Sequence, residues 1–187
     1  MTIVLNMPGL GGSGATHWQS RWEALYPQCR RVENCNWNLP DKDIWLEALD
    51  AAIHACEKPP ILVAHSLSCA LLAHWASRHN SAPVKAALMV APADVDNHDT
   101  LPAEAIGFGP MPLGMLPFPT TVVASANDPY VELQRAQVFA TAWGADFHNL
   151  GAAGHINADS HLDAWADGWT LLQELRQAAC ADAALKA

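Results

Sequence analysis

Three residues of this chain, Ser66, Asp128 and His155, have the types and the order to turn a hydroxyl into a nucleophile. A serine hydroxyl attacks a carbonyl only when a base takes its proton. An imidazole does this near neutral pH, and a carboxylate behind it fixes the tautomer and stabilises the imidazolium that forms. Ser66 stands between an apolar run, Pro60–Ala64, and a helix-like run, Leu67–Ala76. A buried strand, one tight turn and a helix make a nucleophile elbow, in which the turn pushes the hydroxyl out of the fold. The usual elbow has glycine two residues before and two after the serine. Here Ala64 and Ser68 take those places; both are small, so the turn stays open, and a serine that merely caps a helix is the competing reading. Asp128 lies in Ser125-Ala126-Asn127-Asp128-Pro129-Tyr130-Val131, where Pro129 presets the turn into a helix. His155 lies in Gly151-Ala152-Ala153-Gly154-His155-Ile156-Asn157, a glycine-flanked loop. Alone, Asp128 reads as a turn former and His155 as a surface histidine. Together, each after a predicted strand and in the order nucleophile, acid, base, they converge on one site.

An attacked carbonyl also needs donors for its developing charge. The helix N-terminus after Ser66 offers the Leu67 N–H. The loop Met7-Pro8-Gly9-Leu10-Gly11-Gly12-Ser13-Gly14 offers a second donor, assigned to Leu10 with Gly11 as its substitute. The same glycines fit GxGxxG, and Glu33 follows at about 20 residues, as in a dinucleotide site. Against that, Thr16-His17-Trp18-Gln19 has the form of a capping box, which starts the helix too late to cradle a pyrophosphate. No Gly-Lys-Ser/Thr follows, so a phosphate-binding loop of that type is excluded. Asp94, Asp96, His98 and Asp99 form an acidic loop that reads as solvated rather than cation-binding. His74 and His79, five apart, lack the i, i+4 geometry of a helical zinc pair. Cys69 reads as packing, and His65 as a structural or pocket-rim residue pointing away from Ser66.

The elements that must position these residues alternate along the chain. Strands are expected at Thr2–Met7, Arg30–Asn36, Pro60–Ala64, Val84–Val90, Thr120–Ala124 and Ala145–Asn149. Helices are expected from Thr16, over Asp43–Cys56, Leu67–Arg78 and Val131–Trp143, and over Leu162–Ala179. Continuously apolar strands between helices imply a three-layer α/β/α sandwich with a mostly parallel sheet of about six strands. Active sites of such folds gather at the carboxyl ends of the strands. Pro92–Pro119 breaks the rhythm: it holds six of the thirteen prolines, with Phe108, Met111, Met115 and Phe118, and reads as a pocket wall. Trp18 with Trp22, and Trp165 with Trp169, are four apart and read as helix faces packed into a core.

At 187 residues, 51% hydrophobic and 16% charged, the chain is expected to be a single domain over 1–187. A net charge of −9 argues against a nucleic-acid partner. The first residues lack the form of a signal peptide, and no apolar run reaches the roughly 18 residues of a membrane span. Cys29, Cys35, Cys56, Cys69 and Cys180 are odd in number and irregular in spacing, which fits reduced thiols in the cytoplasm. The chemistry of the three residues calls for no metal and no cofactor, and oligomeric state is left open.

The chain resembles the small serine hydrolases related to retinoblastoma-binding protein nine, including the bacterial YdeN-like members. The likeness rests on Pro8-Gly9-Leu10-Gly11-Gly12-Ser13 with His17-Trp18, Ala64-His65-Ser66-Leu67 and Ala91-Pro92-Ala93-Asp94-Val95. Leu116-Pro117-Phe118-Pro119, Ala124–Val131 and Gly154-His155-Ile156-Asn157 complete it. The resemblance implies a compact α/β-hydrolase fold without a cap domain and a Ser66–Asp128–His155 triad. It further implies an esterase- or peptidase-like activity on a small ester or amide. Ala64 and Ser68 depart from the family elbow. The competing class is a binding protein that keeps this fold with little or no turnover.

Overall fold

The computed structural model describes residues 2–79 and 83–185, with side chains through residue 181; the expected domain of 1–187 thus also spans residue 1, 80–82, 186 and 187, outside the described residues. In chain order the elements are β1 (Val4–Met7), α1 (Trp18–Leu25), β2 (Cys29–Arg31), α2 (Lys42–His54), β3 (Ile61–His65), α3 (Leu67–Arg78) and β4 (Ala86–Val90). They continue with β5 (Thr120–Ala124), α4 (Leu133–Trp143), β6 (Asp146–Asn149) and α5 (Ala166–Leu185). All pairings are parallel, in the order β2-β1-β3-β4-β5-β6. The most apolar runs make the centre of the sheet: β1, β3 and β4 are buried at every residue. The short β2 and β6 carry Arg30, Arg31, Asp146 and His148, and such polar residues suit the two exposed edges.

Residues along each strand alternate between two faces. Leu5, Met7, Leu62, Ala64 and Met89 pack with the apolar stripes of α2, α3 and α4. Val4, Ile61, Val63, Leu88 and Val90 pack with α1 and α5. The sheet is therefore covered on both sides, as its continuous apolar strands require. Among the described residues no helix is long and apolar enough to cross a membrane.

Several local expectations shift. The second strand is Cys29–Arg31, not Arg30–Asn36, because Val32 N–H makes the last bond to Asn6 O and Asn36 then folds the chain into a turn. Helix α1 is capped by His17 rather than Thr16, its Nδ1 accepting the Gln19 N–H. The final helix starts at Ala166, since His161, Asp163 and Trp165 all have positive φ. Trp165 therefore precedes the helix instead of lying on its face, yet it still packs in the core beside Trp18 and Trp22.

The register fixes where the loops leave the sheet. Met7 pairs with Ala64, His65 with Val90, and Ala124 with Asn149, so the loops after β1, β3, β4, β5 and β6 emerge along one edge. Between β1 and β3 the strand order reverses direction, the switch point where open α/β sheets bind ligands.

Candidate active site

Ser66 follows β3 with φ 57° and ψ −121°, a conformation that side-chain-bearing residues rarely adopt and that costs about 1–3 kcal/mol. Its N–H donates to Val90 O at 3.0 Å, so the last rung of the β3–β4 ladder holds the turn. Ala64 is fully buried beneath it. Ser68, where the usual elbow has glycine, is also buried, and its hydroxyl donates to Pro8 O at 2.6 Å. The tight approach falls to Gly9 instead. A methyl group there would lie 2.9 Å from Ser66 Cβ and 3.0 Å from His65 O, so only glycine fits without displacement.

The loops after β5 and β6 bring the other two residues to this turn. His155 Nδ1–H donates to Asp128, at 2.9 Å to Oδ1 and 2.8 Å to Oδ2. That leaves Nε2 as an acceptor, and Ser66 Oγ lies 2.8 Å from it. The Asp128 side chain is sealed from solvent, and its Oδ1 also accepts the Tyr130 N–H at 2.9 Å. The Tyr130 ring meets the His155 ring edge-on at 4.7 Å. Asn127 joins the two loops: its Oδ1 accepts the Gly154 N–H at 2.7 Å and the Ser125 hydroxyl at 2.9 Å. Ser125 Oγ in turn accepts the Ala153 N–H at 2.9 Å.

Leu10 and Leu67 lie beside Ser66 in the wall of one cavity of about 240 Å³. Gly11 N–H donates to Trp37 O at 2.7 Å, which occupies the substitute donor. Among the described residues neither the Leu10 nor the Leu67 N–H has a protein acceptor. The segment 92–119 does line the cavity, but through Ala93, Leu101, Pro102 and Ala105. Phe108, Met111 and Phe118 are core residues behind it, and Met115 is exposed, so the expected methionine-lined wall is corrected.

Other expected readings are placed as follows. Asp94 and Asp96 both accept from Arg135, at 3.1 and 2.7 Å, while His98 and Asp99 face solvent. Among the described residues no group of three or more His, Cys, Asp or Glu is disposed to hold a metal. Cys69 packs under the elbow, its thiol donating to Val90 O at 3.5 Å and pushed up by burial. The N-terminus of α1 is occupied by the His17 imidazole, and Glu33 is exposed, so the glycine loop does not form a dinucleotide cradle. His65 does not point away from the site but lines the same cavity as Ser66. His17 and His65 are both buried there. Burial first, then His155 and Arg31, lower His17 to about 4. Burial first, then His17 and His155, hold His65 well below the usual imidazole range. The pocket-rim reading of His65 agrees with its place in the cavity wall, while the parts of Asn127 and Gly9 are signalled in the sequence by no more than the Asn-Asp-Pro and Gly-Leu-Gly-Gly strings.

A family model described as serine hydrolase matches residues 4–174. The chain is similar to a YdeN-like hydrolase of Pectobacterium atrosepticum, at 30% identity over 96% of this chain and 92% of the other, with a TM-score of 0.84. It is also similar in fold to the ydeN gene product of B. subtilis, at 17% identity over 94% and 98% of the two chains, with a TM-score of 0.73. A thermophilic esterase from Thermogutta terrifontis shares the fold at 13% identity over 95% and 90% of the two chains, with a TM-score of 0.69. No curated protein matches the chain.

Proposed function

The chain belongs to the serine hydrolase family, and from that premise we propose that it cleaves a small ester or amide through an acyl-enzyme formed on Ser66. The observation that carries this is the unbroken row from Ser66 Oγ through His155 to Asp128, at 2.8 Å on each side of the imidazole. Ser66 Oγ attacks the carbonyl as His155 Nε2 takes its proton. Asp128, dry and already bonded to Nδ1–H, keeps the imidazole in the tautomer that can do so. The carbonyl oxygen becomes an oxyanion held by the N–H groups of Leu10 and Leu67, each worth about 10²–10³ in rate. His155 returns the proton to the leaving group, and water attacks the acyl-enzyme by the same route in reverse.

The cavity supports a short, uncharged acyl group. Its apolar wall of Leu10, Leu67, Ala93, Leu101 and Ala105 holds no lysine or arginine to pair a carboxylate. A volume of about 240 Å³, at about 30 Å³ per water-sized unit, holds about eight non-hydrogen atoms. We take the chain as one domain over 1–187, since the described residues pack on both faces of one sheet. The five free cysteines support action in the reducing cytoplasm.

A fluorophosphonate probe tests the reading. The wild type is expected to be labelled and Ser66→Ala not. A folded wild type that stays unlabelled favours the binding-protein class and overturns the enzyme proposal.

A further inference from the structure

Two buried imidazoles adjoin the site without any part in the acyl transfer described above. His65, bonded directly to Ser66 in the chain, carries its ring 5.0 Å from the His155 ring. Its Nε2–H donates to the His155 carbonyl oxygen at 3.0 Å, a direction fixed because a carbonyl only accepts. The His17 ring meets His65 edge-on at 4.7 Å. Since His17 Nδ1 accepts the Gln19 N–H, its proton sits on Nε2, which is buried without an acceptor. The three imidazoles thus form a row from the start of α1, past the nucleophile turn, to the base.

The loop that holds His155 turns sharply on both sides of it, with φ of 60° at Gly154 and 48° at Ile156. The aim of its imidazole therefore depends on what fixes the peptides between those turns. The Gly154 N–H is held by Asn127 at 2.7 Å, and the Ile156 O by Trp18 Nε1–H at 2.8 Å. The His155 O is held by His65. We propose that His65 is a positioning residue for the base: its Nε2–H sets the direction of the His155 peptide relative to the adjoining Ser66. This rests on His155 acting as the base in the reading above.

Neutrality matters as much as the bond. His155 becomes an imidazolium during attack, and a cation 5.0 Å away would oppose that charge. Burial and the two neighbouring imidazoles keep His65 uncharged. Arginine or lysine would offer the donor with the wrong charge; a neutral imidazole offers it alone.

Substitutions separate this role from packing. His65→Gln can carry an amide N–H to the place of Nε2, His65→Asn ends short of it, and His65→Leu removes it. The measurements are kcat and KM on p-nitrophenyl acetate, the fluorophosphonate labelling rate, and thermal melting. His65→Leu and His65→Asn are expected to lose about 10²-fold in kcat and labelling rate, as for a misplaced catalytic group. His65 also lines the cavity, so KM is expected to change as well, but by less than kcat. His65→Gln is expected to recover most of the loss. If His65→Leu does not fold, the Gln and Asn variants carry the comparison. A Gln variant as slow as Asn, a Leu variant at wild-type kcat, or a loss confined to KM overturns the proposal. An unlabelled wild type removes the base itself and the proposal with it. That result is distinct from failure of His65 alone, in which the wild type labels and turns over normally.

Discussion

The loops after β5 and β6, on the His155 side of the cavity, are tied by side-chain hydrogen bonds through Ser125, Asn127, Asp128 and Ser160. The segment 92–119 on the other side is held mainly by burying Val95, Leu101, Ala105, Phe108, Met111 and Phe118. Its polar contacts include His74 with Phe108 O at 2.6 Å, Arg135 with Asp94 and Asp96, and the Asp94 N–H with Tyr130 O at 3.0 Å. Hydrogen bonds fix direction, whereas apolar burial fixes volume with little directional preference. On the proposed mechanism, the first side would aim the base and the second would measure the acyl group. Change on the first should appear in kcat, and change on the second in which substrate is accepted.

The largest effects test the aimed side at its centre. Ser66→Ala and His155→Ala should lower kcat on the order of 10⁶-fold, and Asp128→Asn on the order of 10⁴-fold, on p-nitrophenyl acetate. Comparable losses for a substitution in the wall would break the division. Next comes Gly9→Ala, whose added methyl group would meet Ser66 Cβ at 2.9 Å. Displacing the Leu10 donor should cost about 10²–10³-fold in kcat, and a variant of unchanged rate would detach that loop from the site. Asn127→Ala, which frees the Gly154 N–H, should reduce kcat by about 10²-fold with KM nearly constant. A pure KM effect would move Asn127 to the measuring side.

Ala105→Leu probes the wall itself. It should raise KM for p-nitrophenyl octanoate about tenfold while sparing the acetate. An equal loss on both esters would mean the wall also aims. A separate expectation concerns stability and pH. Burial is the leading cause of the lowered values of His17, His65 and His74, so the folded state keeps them neutral where the unfolded chain takes up protons near 6.5. The unfolded state then binds more protons, and stability should fall as pH drops from about 6.5 toward 4. The slope is up to about 1.4 kcal/mol per pH unit for each histidine. Urea unfolding at pH 7.5, 6 and 5 measures it, and a flat profile would contradict the buried, neutral imidazoles.

The centre of the sheet was legible because Ile61–His65, Ala86–Val90 and Thr120–Ala124 are nearly continuous buried runs, and such runs read directly as strands covered on both faces. Ser66, Asp128 and His155 were legible as candidates because each follows such a strand. The extent of β2 was not, since an edge strand ends where its neighbour stops pairing, here at Asn6 O. The part of Asn127 was hidden because its partner, Gly154, lies on another loop. Met111 and Met115 were readable as apolar but not as pointing away from the cavity, a matter of orientation that composition does not carry. In place of the elbow glycines stand Ala64 and Ser68, both buried. The space a glycine must provide is supplied across the gap by Gly9.

The bond from Ser68 Oγ to Pro8 O gives that exchange a mechanical meaning. It latches the first turn of α3, which begins at Leu67, to the chain leaving β1 just before Leu10, so the two proposed oxyanion donors are joined by a side-chain bond. A glycine in that place has no side chain to make such a bond; the serine here adds a tether.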